Sequence, residues 1–150
     1  MSLEDEVELL RNIPLFAKLE PSKLKLLAFT AERITYEADQ ILFSQGDVGD
    51  AAYIIVDGAA NVIVETPDGE LELAELGRND FVGEIAILCD VPRTATVRAS
   101  TRTVALRITK DMFFRLVGEF PEMSVEIMRE LAARLEHTTH QLREALAKNS

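Results

Sequence analysis

The chain has 150 residues, 47% of them apolar, and a formal net charge of -10 at pH 7. That length bounds one domain with at most an appended helix, and the apolar share is ample for a core, which excludes a disordered chain. The acidic excess argues against a nucleic-acid binder and against a polybasic membrane surface, because both depend on neutralising phosphates.

The start, MSLEDEVELL, lacks the basic region of a signal peptide, and no apolar run reaches the ~18 residues of a membrane span, so a cytoplasmic location is expected. Leu3 to Arg11 is expected as a short helix with Val7, Leu10 and Arg11 on one side. Ile13-Pro14-Leu15-Phe16 breaks it and offers Leu15 and Phe16 as core anchors. Pro21 opens a second helix with Leu24, Leu27 and Ala28 at helical spacing. From Glu32 the period changes to that of strands. Ile34 and Tyr36 alternate with polar neighbours, Ile41-Leu42-Phe43 follows, and Gln45 to Asp50 is a turn cluster. Ala52 to Val56 is a buried strand, Asp57-Gly58 a hairpin turn, and Asn61 to Glu65 the return strand with Val62 and Val64 on one face. Thr66-Pro67-Asp68-Gly69 turns the chain again before Leu71, Leu73 and Leu76. Thr94 to Ala99 and Thr103 to Ile108 are two further strands. Seven or eight short strands at this spacing mean a sandwich or small barrel. Thr109 caps a helix over Lys110 to Val117, which Gly118 ends, and Pro121 starts a long last helix that runs to about Lys148.

The sharpest chemistry lies in Phe81 to Val97, FVGEIAILCDVPRTATV. A helix entered through Gly83, followed by one Arg and one hydroxyl, is what a buried phosphate requires. Helix N–H groups and dipole favour an anion, glycine permits close approach, and the Arg fork bonds two oxygens. Glu84 would be repelled by that phosphate and should face a neutral donor such as a sugar hydroxyl. Cys89, the single cysteine, excludes an intramolecular disulfide, fits a reducing compartment and is expected as a packed, inert thiol.

The ordered set Gly83, Glu84, Ala86, Pro92, Arg93, Thr94, Ala95, Thr96 and Val97 resembles the phosphate-binding cassette of the cyclic nucleotide-binding domain family, with Val82 standing between Phe81 and Gly83. The Gln-Gly-Asp loop before Tyr53-Ile54-Ile55-Val56-Asp57-Gly58 is similar to the β-roll of the same family. The resemblance spans roughly residues 10 to 148. It implies an α+β fold: an antiparallel, jelly-roll-like β-roll of about eight strands, flanked by N-terminal helices, a short cassette helix and a long C-terminal helix. The expected layout is one domain over 1–150, with helices at about 3–30, the roll at about 32–108 with its cassette at 81–97, C-terminal helices at about 110–148, and no DNA-binding domain.

By the resemblance Glu84 bonds the ribose 2′-hydroxyl. Arg93 and Thr94 hold the cyclic phosphate with backbone N–H groups near Ala86 and Ala95, and Gly83 and Ile85 belong to the same phosphate and ribose site. Val62, Leu73 and Val82 would line the apolar wall. In the last helix Thr138 and Thr139 match a Thr-Ser pair that contacts adenine in catabolite activator proteins, and Arg134 would close over the ligand. The implied ligand is cAMP or cGMP, with the Thr138-Thr139 match favouring cAMP.

Met128, Leu131, Leu135, Thr138, Leu142 and Ala145 fall three and four apart, a heptad seam of about three repeats that points to a parallel homodimer; the alternative is a face packed on the roll. His137 and His140 lie together in that helix without supporting cysteines, so no metal is expected. No Ser-His-Asp or Cys-His set assembles, so neither an enzyme nor a catalytic residue is expected. The expected function is a cyclic-nucleotide sensor that couples binding to movement of its last helix, with no direct nucleic-acid or membrane partner. The alternatives are a dimerisation module with a vestigial pocket, or the sensor part of a longer transcription regulator or channel.

Overall fold

The computed structural model describes residues 2–13, 16–17 and 19–148, with the side chains of residues 130 and 134 outside that description. Helix α1 (Leu3–Arg11) begins in a capping box: the Ser2 hydroxyl accepts from the Asp5 N–H, and the Asp5 carboxylate accepts from the Ser2 N–H. Its buried side is Glu6, Leu9 and Leu10, one step round from the Val7, Leu10 and Arg11 face expected, because Arg11 turns outward to pair with Glu8. Phe16 is fully buried, and Leu15 lies outside the described residues. Helix α2 (Pro21–Thr30) has Pro at its first turn and buries Leu24, Leu27 and Ala28 as expected.

Eight strands follow: β1 (Glu32–Tyr36), β2 (Ile41–Phe43), β3 (Ala51–Asp57), β4 (Ala60–Thr66), β5 (Gly69–Leu76), β6 (Phe81–Val82), β7 (Thr96–Ala99) and β8 (Thr103–Thr109). They form two antiparallel sheets of four, ordered β1-β8-β3-β6 and β2-β7-β4-β5. With helices α3 (Glu84–Cys89), α4 (Lys110–Glu119) and α5 (Pro121–Lys148), this is the expected α+β architecture of an antiparallel roll flanked by helices.

β3 explains how the layers stack. Its run AAYIIV is buried at every residue, so it has two core faces. Ala52, Ile54 and Val56 point into a helical core with Leu10, Leu27, Phe81, Leu106, Ile108 and Phe113. Ala51, Tyr53 and Ile55 point into the space between the sheets, with Leu42, Ala60, Val97, Ala99 and Ala105. A strand covered on both faces reads as a continuous apolar run rather than an alternation. Phe81 joins the aromatic centre of the helical core, edge-on to Phe16 at 5.7 Å and stacked on Phe113 at 6.1 Å between ring centroids.

Two further details depart from expectation, and a third bears on the last helix. α4 starts on its Thr109 cap, whose hydroxyl accepts from the Met112 N–H, but continues through Gly118 to Glu119. The buried Phe113 and Leu116 hold the helix past a glycine that costs it only about 1 kcal/mol. Cys89 is exposed rather than packed, because α3 is so short that only Glu84, Ala86 and Ile87 reach the interior. α5 packs through Met123, Ile127 and Leu131, while Met128, Leu135 and Leu142 of the heptad seam are 61%, 68% and 58% exposed. Packing on the rest of the chain thus accounts for Leu131 in the seam and not for those three. Among the described residues no helix is long and apolar enough to cross a membrane.

Phe113→Ala should lower the unfolding free energy by about 3–5 kcal/mol, because it empties a fully buried ring site. Phe29→Ala, at a ring that is 78% exposed, should change it by less than about 0.5 kcal/mol. Urea unfolding followed by circular dichroism measures both.

Candidate functional site

A cavity of about 330 Å³ opens at one end of the roll, against the cassette. Its size lies within the range of small-molecule sites, ~300–1,000 Å³. Larger hollows of about 730 Å³ along α5 and about 480 Å³ between α1 and α2 are lined by surface side chains, with no buried charge in either. The roll cavity alone of these three has buried ionic groups in its wall, Glu84 and Arg93.

Gly83 carries the entry to α3. It adopts φ +93°, a left-handed conformation that favours glycine, and an added Cβ would stand 2.7 Å from Arg93 Nη1. No side chain caps α3, so its first turn, Glu84 to Ala86, presents main chain to the cavity. The turn between β2 and β3 packs tightly behind it. A Cβ at Gly49 would lie 2.5 Å from the Ala86 Cβ, so this glycine sets how close α3 sits to β3.

Arg93 is 3% exposed. Its Nη1 donates to the Gly83 carbonyl at 2.8 Å and its Nη2 to the Ala51 carbonyl at 2.6 Å. Asp50 stands 3.8 Å from Nη2, but that carboxylate is largely in water and its pull is weak. The buried Nε–H has no hydrogen-bond partner among the described residues. The main chain of Arg93 is also clasped: its N–H donates to the Asp47 carbonyl and its carbonyl accepts from the Gly46 N–H, both at 2.8 Å. Burial lowers the pKa of Arg93, while Tyr53, Asp50 and Asp47 pull the other way. An arginine starts so high that the group stays charged at neutral pH. A buried, charged fork with an unused N–H, beside a helix turn without a side-chain cap, has the chemistry to receive an anion.

The structure gathers Gly83, Glu84, Ile85, Ala86, Arg93, Thr94 and Ala95 around this cavity, with Val62 and Val82 in its apolar wall. Leu73 is not in it. β4 and β5 pair Val62 with Ala74 but Ile63 with Glu72, which leaves Leu73 as the extra residue of a bulge. The bulge shifts the parity of β5, so Ala74 and Leu76 face the cavity and Leu73 is 57% exposed. Thr138 is exposed, and the Thr139 hydroxyl donates to the Leu135 carbonyl at 2.9 Å; neither lines the cavity. The Arg134 side chain lies outside the described residues. His140 pairs with Glu144 at 3.2 Å, and no cluster of metal-binding side chains occurs among the described residues.

Sequence reasoning missed Phe43, Ala74, Leu76, Phe81 and Val97 as wall residues. Val97 was within reach, since period two carries the inward face from Ala95 to Val97. Phe43 had no local signal, because what brings it to Arg93 is the clasp of the turn after β2.

The cyclic nucleotide-binding domain model matches residues 33–120, more than half of the chain. The chain belongs to the cyclic nucleotide-binding domain family. It is similar to a CRP-like cAMP-activated global transcriptional regulator from Mycobacterium tuberculosis, 30% identical over 136 residues, or 90% of this chain and 61% of the regulator. It is also similar to a cAMP-dependent protein kinase regulatory subunit from Blastocladiella emersonii, 35% identical over 115 residues, which cover 76% of this chain and 28% of the subunit. The chain therefore spans less than two thirds of either relative. Among solved structures it resembles the regulatory domain of Toxoplasma gondii PKA in complex with cAMP, with TM-score 0.72 and 27% identity, covering 75% of this chain and 43% of that one.

In this cyclic nucleotide-binding domain Gly83→Ala should cost about 1–3 kcal/mol of stability, because it combines a strained φ with a clash against Arg93. Chemical denaturation measures the loss; a change below about 0.5 kcal/mol would mean that the cassette does not need glycine at its entry.

Proposed function

We propose that this domain is a cAMP sensor. The observation that carries the reading is the buried Arg93, with its unpartnered Nε–H, in the wall of a cavity large enough for a small molecule. The cyclic phosphate accepts from Arg93 and from main chain near Ala86 and Ala95, with Thr94 beside it. Glu84, buried close to the same end, accepts from the ribose 2′-hydroxyl. The purine lies along the apolar wall of Val62, Ala74, Leu76 and Val82. The relatives named for cAMP support adenine over guanine, and so does the Thr138-Thr139 pair carried over by resemblance.

The output is movement of α5. In this reading its exposed seam joins a second copy in parallel, and Thr138 and Thr139 approach the base only when the helix closes over the cavity. Such a switch requires tighter binding by the closed state than by the open one. The domain acts by binding rather than by catalysis.

Calorimetric titration of the refolded, ligand-free protein with cAMP and with cGMP tests the ligand. The expected result is micromolar or tighter binding of cAMP, about -8 kcal/mol or better, and weaker binding of cGMP. Arg93→Ala should weaken cAMP binding by at least about 2 kcal/mol, because an anion loses its buried partner. No heat from a folded, empty protein would overturn the sensor reading. For the seam, sedimentation equilibrium should show a dimer that Leu135→Lys with Leu142→Lys converts to monomer; a parent that stays monomeric at 100 micromolar, roughly -5 kcal/mol of association, would reject it.

A further inference from the structure

The buried cation is held by more than its hydrogen bonds. The central carbon of the Arg93 guanidinium lies 4.1 Å from the centre of the Phe43 ring. Phe43 rests in turn on Tyr53, with ring centroids 5.6 Å apart and planes tilted by 33°. Phe43 ends β2 and Tyr53 sits within β3, so the platform under the guanidinium belongs to both sheets and not to a mobile loop.

The two carbonyl contacts do not fix the fork by themselves. Nη1 is tied to Gly83 and Nη2 to Ala51, and two anchored corners define a line. Only the side chain's own torsions then limit rocking about that line, and the Nε edge, furthest from it, moves most when they turn. A rigid ring with its centre 4.1 Å from the central carbon limits this motion. It also supplies the negative face of a π-system to a cation from which water has been excluded, where such an interaction is strongest. An aliphatic side chain at the end of β2 would fill the same space and supply neither a flat support nor a quadrupole.

We propose that Phe43 is the positioning residue for the anion-binding arginine: its ring face holds the Arg93 guanidinium flat, so that the Nε edge stays presented to the anionic group of the ligand. The inference rests on the reading of Arg93 as the phosphate group's partner, and it assigns Phe43 a role through Arg93 rather than on the phosphate itself.

The test replaces Phe43 in the full chain with di-, tri- and pentafluorophenylalanine, which keep the ring's shape while progressively removing its negative face, and with leucine. Two quantities are read. The first is the solvent exchange rate of the Arg93 Nε–H in the ligand-free protein, by nitrogen–proton NMR, with the resonance assigned by its loss in Arg93→Lys. The second is cAMP affinity by calorimetry. Exchange should rise in step with fluorination, by about tenfold at pentafluoro, and cAMP affinity should fall by about the same factor, while the urea midpoint of the fluorinated proteins stays at the parent value. Leucine should match or exceed the pentafluoro effect on both readouts. An exchange rate that does not change along the series overturns the proposal, with or without nucleotide binding. So does a cAMP affinity that stays constant along the series in a parent that binds. A parent that binds no cAMP but shows the exchange trend sinks the sensor reading and supports the support role of Phe43 for Arg93.

Discussion

Taking a guanidinium out of water costs several kcal/mol unless the protein replaces the solvation it loses. The roll meets that constraint with main chain that its own strands leave over. The ladder between β3 and β6 stops at the pair Tyr53 and Val82. The carbonyls of Gly83 and Ala51, just beyond its end, accept from Arg93 instead. The side chain thus continues a sheet ladder where the strand has turned away. Gly83 must be left-handed for the chain to leave at that point, and the turn after β2 must fold back for its Gly46 and Asp47 to clasp the Arg93 main chain. The cavity, the short helix beside it and the aromatic platform below it all depend on this one arrangement.

The fold was largely legible because its signals are local. Pro21 and Pro121 open helices, Thr109 caps one, and glycine-containing turns separate runs of strand period. The gathering of the cassette residues around one cavity was legible for a related reason. The polar and glycine positions of the cassette fall within one short stretch, and a run that sets a helix entry, a cation and a hydroxyl in fixed order has few other uses. What escaped was set by pairs of distant residues. Nothing in the sequence of β5 announces that Leu73 is squeezed out opposite Val62 and Ile63, since a bulge depends on both strands. Phe43 meets Arg93 through contacts fifty positions away in the chain. Cys89 looked like core because it ends an apolar run, yet a helix of six residues has only one side to bury.

The charge of the chain sharpens the contrast at the site. A net -10 repels anions at long range, and Asp47 and Asp50 stand near the buried Arg93. Any attraction of this cavity for an anion would therefore act at short range, where water is excluded and charges interact more strongly. Phe81 connects the cavity to the helical core. It lines the cavity on one side and stacks on Phe113 of α4 on the other, and α4 is the element against which α5 packs.

Burying Arg93 also sets two selective pressures against each other. Replacing a buried ionic group with well-packed apolar residues is often neutral or stabilising. Removing the arginine alone would instead take this donor from the Gly83 and Ala51 carbonyls, so its loss is tolerated only when the residues around it change as well. The residue that lines the cavity is therefore also the one on which the main chain around it relies, so the two pressures act on a single side chain.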